Sequence, residues 1–161
     1  MPSVPIDRRS LPNGLRVVLS RDPRAPVVAV NLWYAVGSKN EKTGKTGFAH
    51  LFEHMMFQGS AHVEKGQHFS LVQGAGGTLN ATTSLDRTNY FETLPSHQLE
   101  LALWLEADRM ANLVPAITEE KLEGFQAYVP RTTRRAGEAV EAPRPVLPVF
   151  GRRVKRYSNR L

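Results

Sequence analysis

His50 and His54 stand four residues apart with Glu53 between them, in the run His50-Leu51-Phe52-Glu53-His54. On an α-helix that spacing separates two side chains by about 40° around the axis, so both imidazoles project from one face and can close on a single divalent ion. Glu53, adjacent to His54 and three residues from His50, lies near the same side. There its carboxylate could take a proton from a water on that ion instead of binding the ion itself. The chain has no cysteine, so a metal site must be built from histidine and carboxylates. The plain alternative is that His50 and His54 are surface or core histidines with Glu53 as a neighbour.

These residues need a helix beneath them, and the surrounding pattern predicts one. Over residues 47–58, Phe48, Leu51, Phe52, Met55 and Met56 fall at i, i+3, i+4, i+7 and i+8, closed by Gly59, with the histidines on the polar face opposite that stripe. Upstream, Asn13-Gly14 between residues 9–11 and 15–19 predicts a β-hairpin. Residues 27–36 are apolar without clean alternation, which predicts a strand covered on both faces and central in its sheet. Residues 37–47 read as a loop. Downstream, a short helix from about Lys65 to Gln73 is broken by Gly74-Ala75-Gly76-Gly77, and residues 78–84 pair with 89–94 across an Asp86-Arg87 turn. Ser96 is expected to cap a long helix through Leu113, with Leu99, Ala102, Leu103, Met110 and Leu113 on its buried side. Thr118 is expected to cap another, carrying Leu122, Phe125 and Val129 and stopped at Pro130. The fold class is α+β, an antiparallel or mixed sheet packed with helices.

The chain of 161 residues is large enough for one core and too short for a two-domain enzyme with a deep cleft. Its net charge of +6 is unevenly placed: residues 1–123 hold 12 Lys+Arg against 13 Asp+Glu, whereas residues 124–161 hold 9 against 2. Basicity confined to a Pro/Arg-rich tail argues against a nucleic-acid-binding domain and fits a solvated or disordered segment. The start lacks the apolar run of an export signal and no later stretch approaches a membrane span, so the expected setting is cytoplasmic, with no membrane partner.

Gly44-Lys45-Thr46 between a strand and a helix is the context of a phosphate-cradling loop, but the pattern needs a glycine where Lys39 stands. His62, His68 and His97 show no ligand spacing and read most simply as surface residues.

The histidine motif is the reversed order of the two-His-plus-base arrangement of zinc peptidases. The run from Gly47-Phe48-Ala49-His50 to Gln58-Gly59-Ser60 resembles the active-site helix of the pitrilysin or insulinase (M16-like) zinc metallopeptidase family. Three other segments share that resemblance: Leu11-Pro12-Asn13-Gly14-Leu15, Gly77-Thr78-Leu79-Asn80-Ala81-Thr82-Thr83 followed by Tyr90-Phe91, and the stretch from Leu103 to Met110. Together they span residues 10–123 in order. The resemblance implies Zn2+ on His50 and His54, Glu53 as general base, and a third ligand, a Glu, roughly 75 residues beyond the second His. It implies that Asn80, Ala81 and Thr82 form an edge taking up an extended polypeptide substrate by β-augmentation, and that Glu106 orients a ligand histidine from behind.

The chain departs from the family where the third ligand should stand, since Tyr128 to Thr133 contains no carboxylate. Charge, proline content and periodicity all change just after Glu123, as a shifted reading frame or a truncated gene would produce. Arg131-Thr132 can be encoded so that an offset frame reads a Glu codon across their junction. The expected organisation is a truncated metallopeptidase half-domain at residues 1–123 and an unrelated tail at 124–161. The expected function is zinc-dependent hydrolysis of short or unfolded polypeptides, left incomplete without the third ligand and needing a second half-domain or partner subunit. The alternative is a non-catalytic relic or partner-binding subunit of the same fold.

Overall fold

The computed structural model describes residues 5–42, 46–119 and 121. They belong to two compact units, one reaching to Pro26 and the other beginning at Val27. The first holds a two-stranded hairpin in which β1 (Asp7–Ser10) and β2 (Arg16–Leu19) run antiparallel, Asp7 opposite Leu19 and Ser10 opposite Arg16. The expected Asn13-Gly14 turn closes it. Gly14 takes φ +86°, a conformation disfavoured by any Cβ, and Asn13 Oδ1 accepts the Leu15 amide at 3.0 Å.

The second unit is built on a three-stranded antiparallel sheet of β3 (Val27–Tyr34), β4 (Thr78–Thr83) and β5 (Thr88–Pro95), in the order β3-β5-β4. The predicted pairing of β4 with β5 is present, Thr83 opposite Thr88, and the Ser84 amide donates to the Arg87 carbonyl at 2.8 Å across the turn. The central strand among the described residues is β5, not β3 as the apolar run predicted. Val28, Val30, Leu32 and Tyr34 turn toward the packed side of β3, while Val27, Ala29, Asn31 and Trp33 are exposed. Apolar residues on the outward face disguise a period of two.

Helices α1 (Phe48–Met55), α2 (Gln67–Gly74) and α3 (Leu99–Asn112) complete the unit. One core cluster joins Val63, Val72 of α2, Leu94 of β5, and Ala102 and Leu105 of α3, with Val28 and Val30 of β3 against it. A second joins Met56, Ala81, Tyr90 and Leu113, flanked by Tyr34, Phe52 and Phe57. Each fully buried Leu or Val side chain in these clusters contributes about 1.5–3 kcal/mol. Gly77, between α2 and β4, passes so close to β5 that an added Cβ would lie 2.7 Å from the Thr93 carbonyl oxygen and 2.8 Å from Leu94.

Two expectations for α3 are corrected. Ser96 opens a single 3-10 turn, Ser96–Gln98, makes no side-chain cap bond, and α3 starts three residues later at Leu99. The buried face carries Ala102, Leu105, Glu106, Asp108 and Arg109, whereas Leu99 and Leu103 are exposed. Mutual pairing lets Glu106 and Arg109 share the buried face with Ala102 and Leu105. Thr118 Oγ1 does accept the Lys121 amide, at 3.3 Å. The helix expected beyond it with Leu122, Phe125 and Val129, the boundary at residue 123, the 124–161 tail, the Tyr128–Thr133 window, and Gly44-Lys45 lie outside the described residues.

Candidate functional site

Helix α1 has only eight residues, too few to be stable without support. Glu41 supplies it at the N-terminus: Oε2 accepts the Gly47 amide at 2.9 Å and Oε1 the Ala49 amide at 2.7 Å. Two amides that a helix start leaves without partners are thereby satisfied by a carboxylate at the positive end of the helix dipole. Ala49, Leu51 and Met55 bury the underside. The helix ends earlier than the 47–58 expected, passing into turns in which Phe57 N donates to His54 O and Gln58 N to Met55 O.

On the outer side His50 and His54 are both exposed, their rings 4.6 Å apart between centroids and their Nε2 atoms 3.1 Å apart. Two zinc-bound nitrogens at the tetrahedral angle, with Zn–N bonds of about 2.05 Å, stand about 3.3 Å apart, so this pair fits one ion. Glu53 does not share their open face. It is buried and accepts a short hydrogen bond from Thr83 Oγ1 of β4 at its Oε2, which leaves Oε1 unoccupied by that contact. The sequence treated Glu53 as part of a polar face, but its carboxylate is turned toward the sheet by a threonine thirty residues away.

β4 is an edge strand of the described sheet and lies against α1. On it, Asn80 Oδ1 accepts the Ala81 amide at 2.8 Å, and Thr82 Oγ1 donates to Asn89 Oδ1 at 2.6 Å. Thr83 therefore ties the end of this edge to the carboxylate beside the histidines.

Glu106 lies elsewhere. Its partner is Arg109, whose guanidinium sits 4.3 Å from the centroid of Tyr90 and 5.1 Å from that of Phe57. No contact described for Glu106 reaches His50 or His54. Burial works to lower the Arg109 pKa, but Glu106 and the two tyrosines outweigh it and hold the group above its ordinary value, so it stays charged. Burial raises the Tyr90 hydroxyl well above its usual range, partly opposed by Arg109 and reinforced by Tyr34, Glu53 and Glu106. His68, read from sequence as a surface residue, is buried, within 3.6 Å of the Glu92 carboxylate. His62 and His97 are exposed as expected. His62 Nδ1 lies 2.6 Å from Asp108 Oδ1, and Ser60 and Asn112 also bond that carboxylate.

Sequence reasoning missed Glu41, His68, Glu92 and Arg109. Only Glu41 left a signal, an acidic residue just ahead of a helix whose cap position carries Gly47 and no side-chain acceptor.

A family model described as Insulinase (Peptidase family M16) matches residues 16–142. The zinc protease PqqE of Helicobacter pylori is 38% identical over 105 residues, covering 65% of this chain and 24% of that protein. The crystal structure of a protease from Helicobacter pylori superposes with a TM-score of 0.75 at 33% identity, over 78% of this chain and 30% of that one. Pitrilysin superposes with a TM-score of 0.71 at 27% identity, over 80% of this chain and 14% of its own. The chain thus spans about a quarter of the length of the curated relative. Among the described residues no helix is long and apolar enough to cross a membrane.

Proposed function

The chain belongs to peptidase family M16, and from that premise we propose that α1 and β4 form the metal-holding part of a zinc-dependent peptide-hydrolysing site. The observation that carries this reading is the 3.1 Å approach of the two Nε2 atoms on one exposed helix face. His50 and His54 would hold the ion. When bound there, zinc would supply Lewis-acid polarisation of a scissile carbonyl and a water of lowered pKa. Glu53 accepts the proton at Oε1 while Thr83 fixes its Oε2. The edge at Asn80, Ala81 and Thr82 receives an extended main chain, so short or unfolded polypeptides are the substrate class. Glu106 supports the site from a distance by holding Arg109 under Phe57, just beyond α1, and under Tyr90, opposite Ala81 in the sheet register. A second half-domain or partner subunit supplies the facing wall, in keeping with the fraction of its relatives that this chain spans.

One observation favours a second reading, a non-catalytic relic or partner-binding subunit: the Tyr128–Thr133 window contains no carboxylate, and catalytic zinc ordinarily keeps three protein ligands. Calorimetric zinc titration of the chain beside His54→Ala separates the two. Uptake by the chain of one more zinc equivalent than the variant takes up supports the peptidase site, and equal stoichiometry in both counts against it. In a preparation that hydrolyses peptides, Glu53→Gln is expected to abolish turnover with zinc still bound; unchanged turnover removes Glu53 from its role.

A further inference from the structure

Away from α1, four ionisable side chains from three elements meet in the core: His68 of α2, Glu92 of β5, and Glu106 and Arg109 of α3. Their exposures are 4%, 2%, 4% and 3%. Buried charges at this depth require partners, and the partnering here is incomplete. Arg109 Nη2 takes Glu106 Oε1. Glu106 Oε2, both carboxylate oxygens of Glu92, and His68 Nε2 have no hydrogen-bond partner among the described residues, and neither do the Arg109 Nε and Nη1 donors.

The histidine and the two carboxylates converge. One ligand atom each from His68, Glu92 and Glu106 lies within 4.8 Å of the others. His68 Nε2 and Glu92 Oε2 are 3.6 Å apart, longer than the roughly 2.7–3.2 Å of a hydrogen bond and near the ~3.3 Å between two ligands of a tetrahedral zinc ion. A proton on His68 Nε2 would serve one Glu92 oxygen and leave the other, with Glu106 Oε2, unserved. A divalent ion takes one donor from each residue. It also changes the net charge of the group from −1, with neutral His68, to +1, no larger in magnitude.

We propose that His68, Glu92 and Glu106 form a second, buried divalent-metal site with three protein donors, separate from His50 and His54. Imidazole nitrogen and carboxylate oxygen are both zinc donors, and the absence of solvent exposure suits a site that binds no substrate. This proposal does not depend on the hydrolytic reading.

The test uses the full chain carrying His50→Ala and His54→Ala, which removes the α1 pair. It is stripped with chelator and titrated with Zn2+ by calorimetry, with thermal melts and Co2+ absorption in parallel. The expected result is one zinc per chain, a rise in Tm on adding Zn2+, and the intense visible bands of tetrahedral Co2+. Adding His68→Gln is expected to weaken binding by at least the order of 100-fold that loss of a metal-site partner causes. A double variant that is folded by circular dichroism yet takes up no zinc overturns the proposal, as does zinc uptake unchanged by His68→Gln. Where His68→Gln fails to fold, the Co2+ spectrum of the double variant decides: weak octahedral bands overturn the site and tetrahedral bands support it.

Discussion

The His50–His54 pair and the His68 group use the same residue types in opposite surroundings. Two imidazoles on α1 face water, held in place by a helix that Glu41 caps and Thr83 braces through Glu53. His68, Glu92 and Glu106 are buried, with the Phe57 ring against His68 and Arg109 paired with Glu106. On the exposed face both rings are open to solvent and solutes. In the core nothing large can arrive, and each charge is bound into the packing. Burial, more than residue type, decides whether a histidine–carboxylate group is available to a substrate or serves the architecture.

The comparison breaks most visibly at Glu106. Glu106→Gln leaves Arg109 buried without its countercharge, and urea unfolding is expected to show a loss of about 3–5 kcal/mol. A loss under about 1 kcal/mol would mean that the Tyr90 and Phe57 rings suffice for Arg109. A smaller effect is expected at Asp108, which joins the Ser60–His62 segment to α3. Burial pushes its pKa up, but hydrogen bonds from His62, Ser60 and Asn112 outweigh that and hold it below 3.8 in the folded chain. A carboxyl depressed on folding stabilises above its unfolded pKa, and that contribution is lost as pH falls through the folded value. Asp108→Asn should therefore cost about 1 kcal/mol at neutral pH and flatten the decline of stability below about pH 4, as urea melts at pH 7 and pH 3 would show. The smallest effect belongs to the open face: His50→Ala is expected to change unfolding free energy by no more than about 0.5 kcal/mol.

The parts of the fold legible in sequence were those set by local chemistry. Asn13-Gly14 dictates its hairpin through φ, Asp86-Arg87 its turn, and the 3.6 periodicity its helix at Phe48–Met55. The α+β class followed from these. Elements that depend on distant partners were less legible. Leu103 was assigned inside and is 52% exposed, because the choice of buried face on α3 is made by Glu106 and Arg109 pairing with each other. Trp33 and Val27 hid the period of two that sets β3 beside β5 in the described sheet. In the candidate site, the i, i+4 histidines were visible because one helix carries both. The burial of Glu53 was not, because Thr83 arrives from another strand, and His68 passed for a surface residue because Glu92 and Glu106 lie 24 and 38 positions away.

Asn80 also covers part of the edge on which it lies. An unpaired strand edge is a template on which another copy can grow a shared sheet. By folding its side chain onto the Ala81 amide at 2.8 Å, Asn80 withholds one donor from that row, and an intruding strand must displace it to pair there.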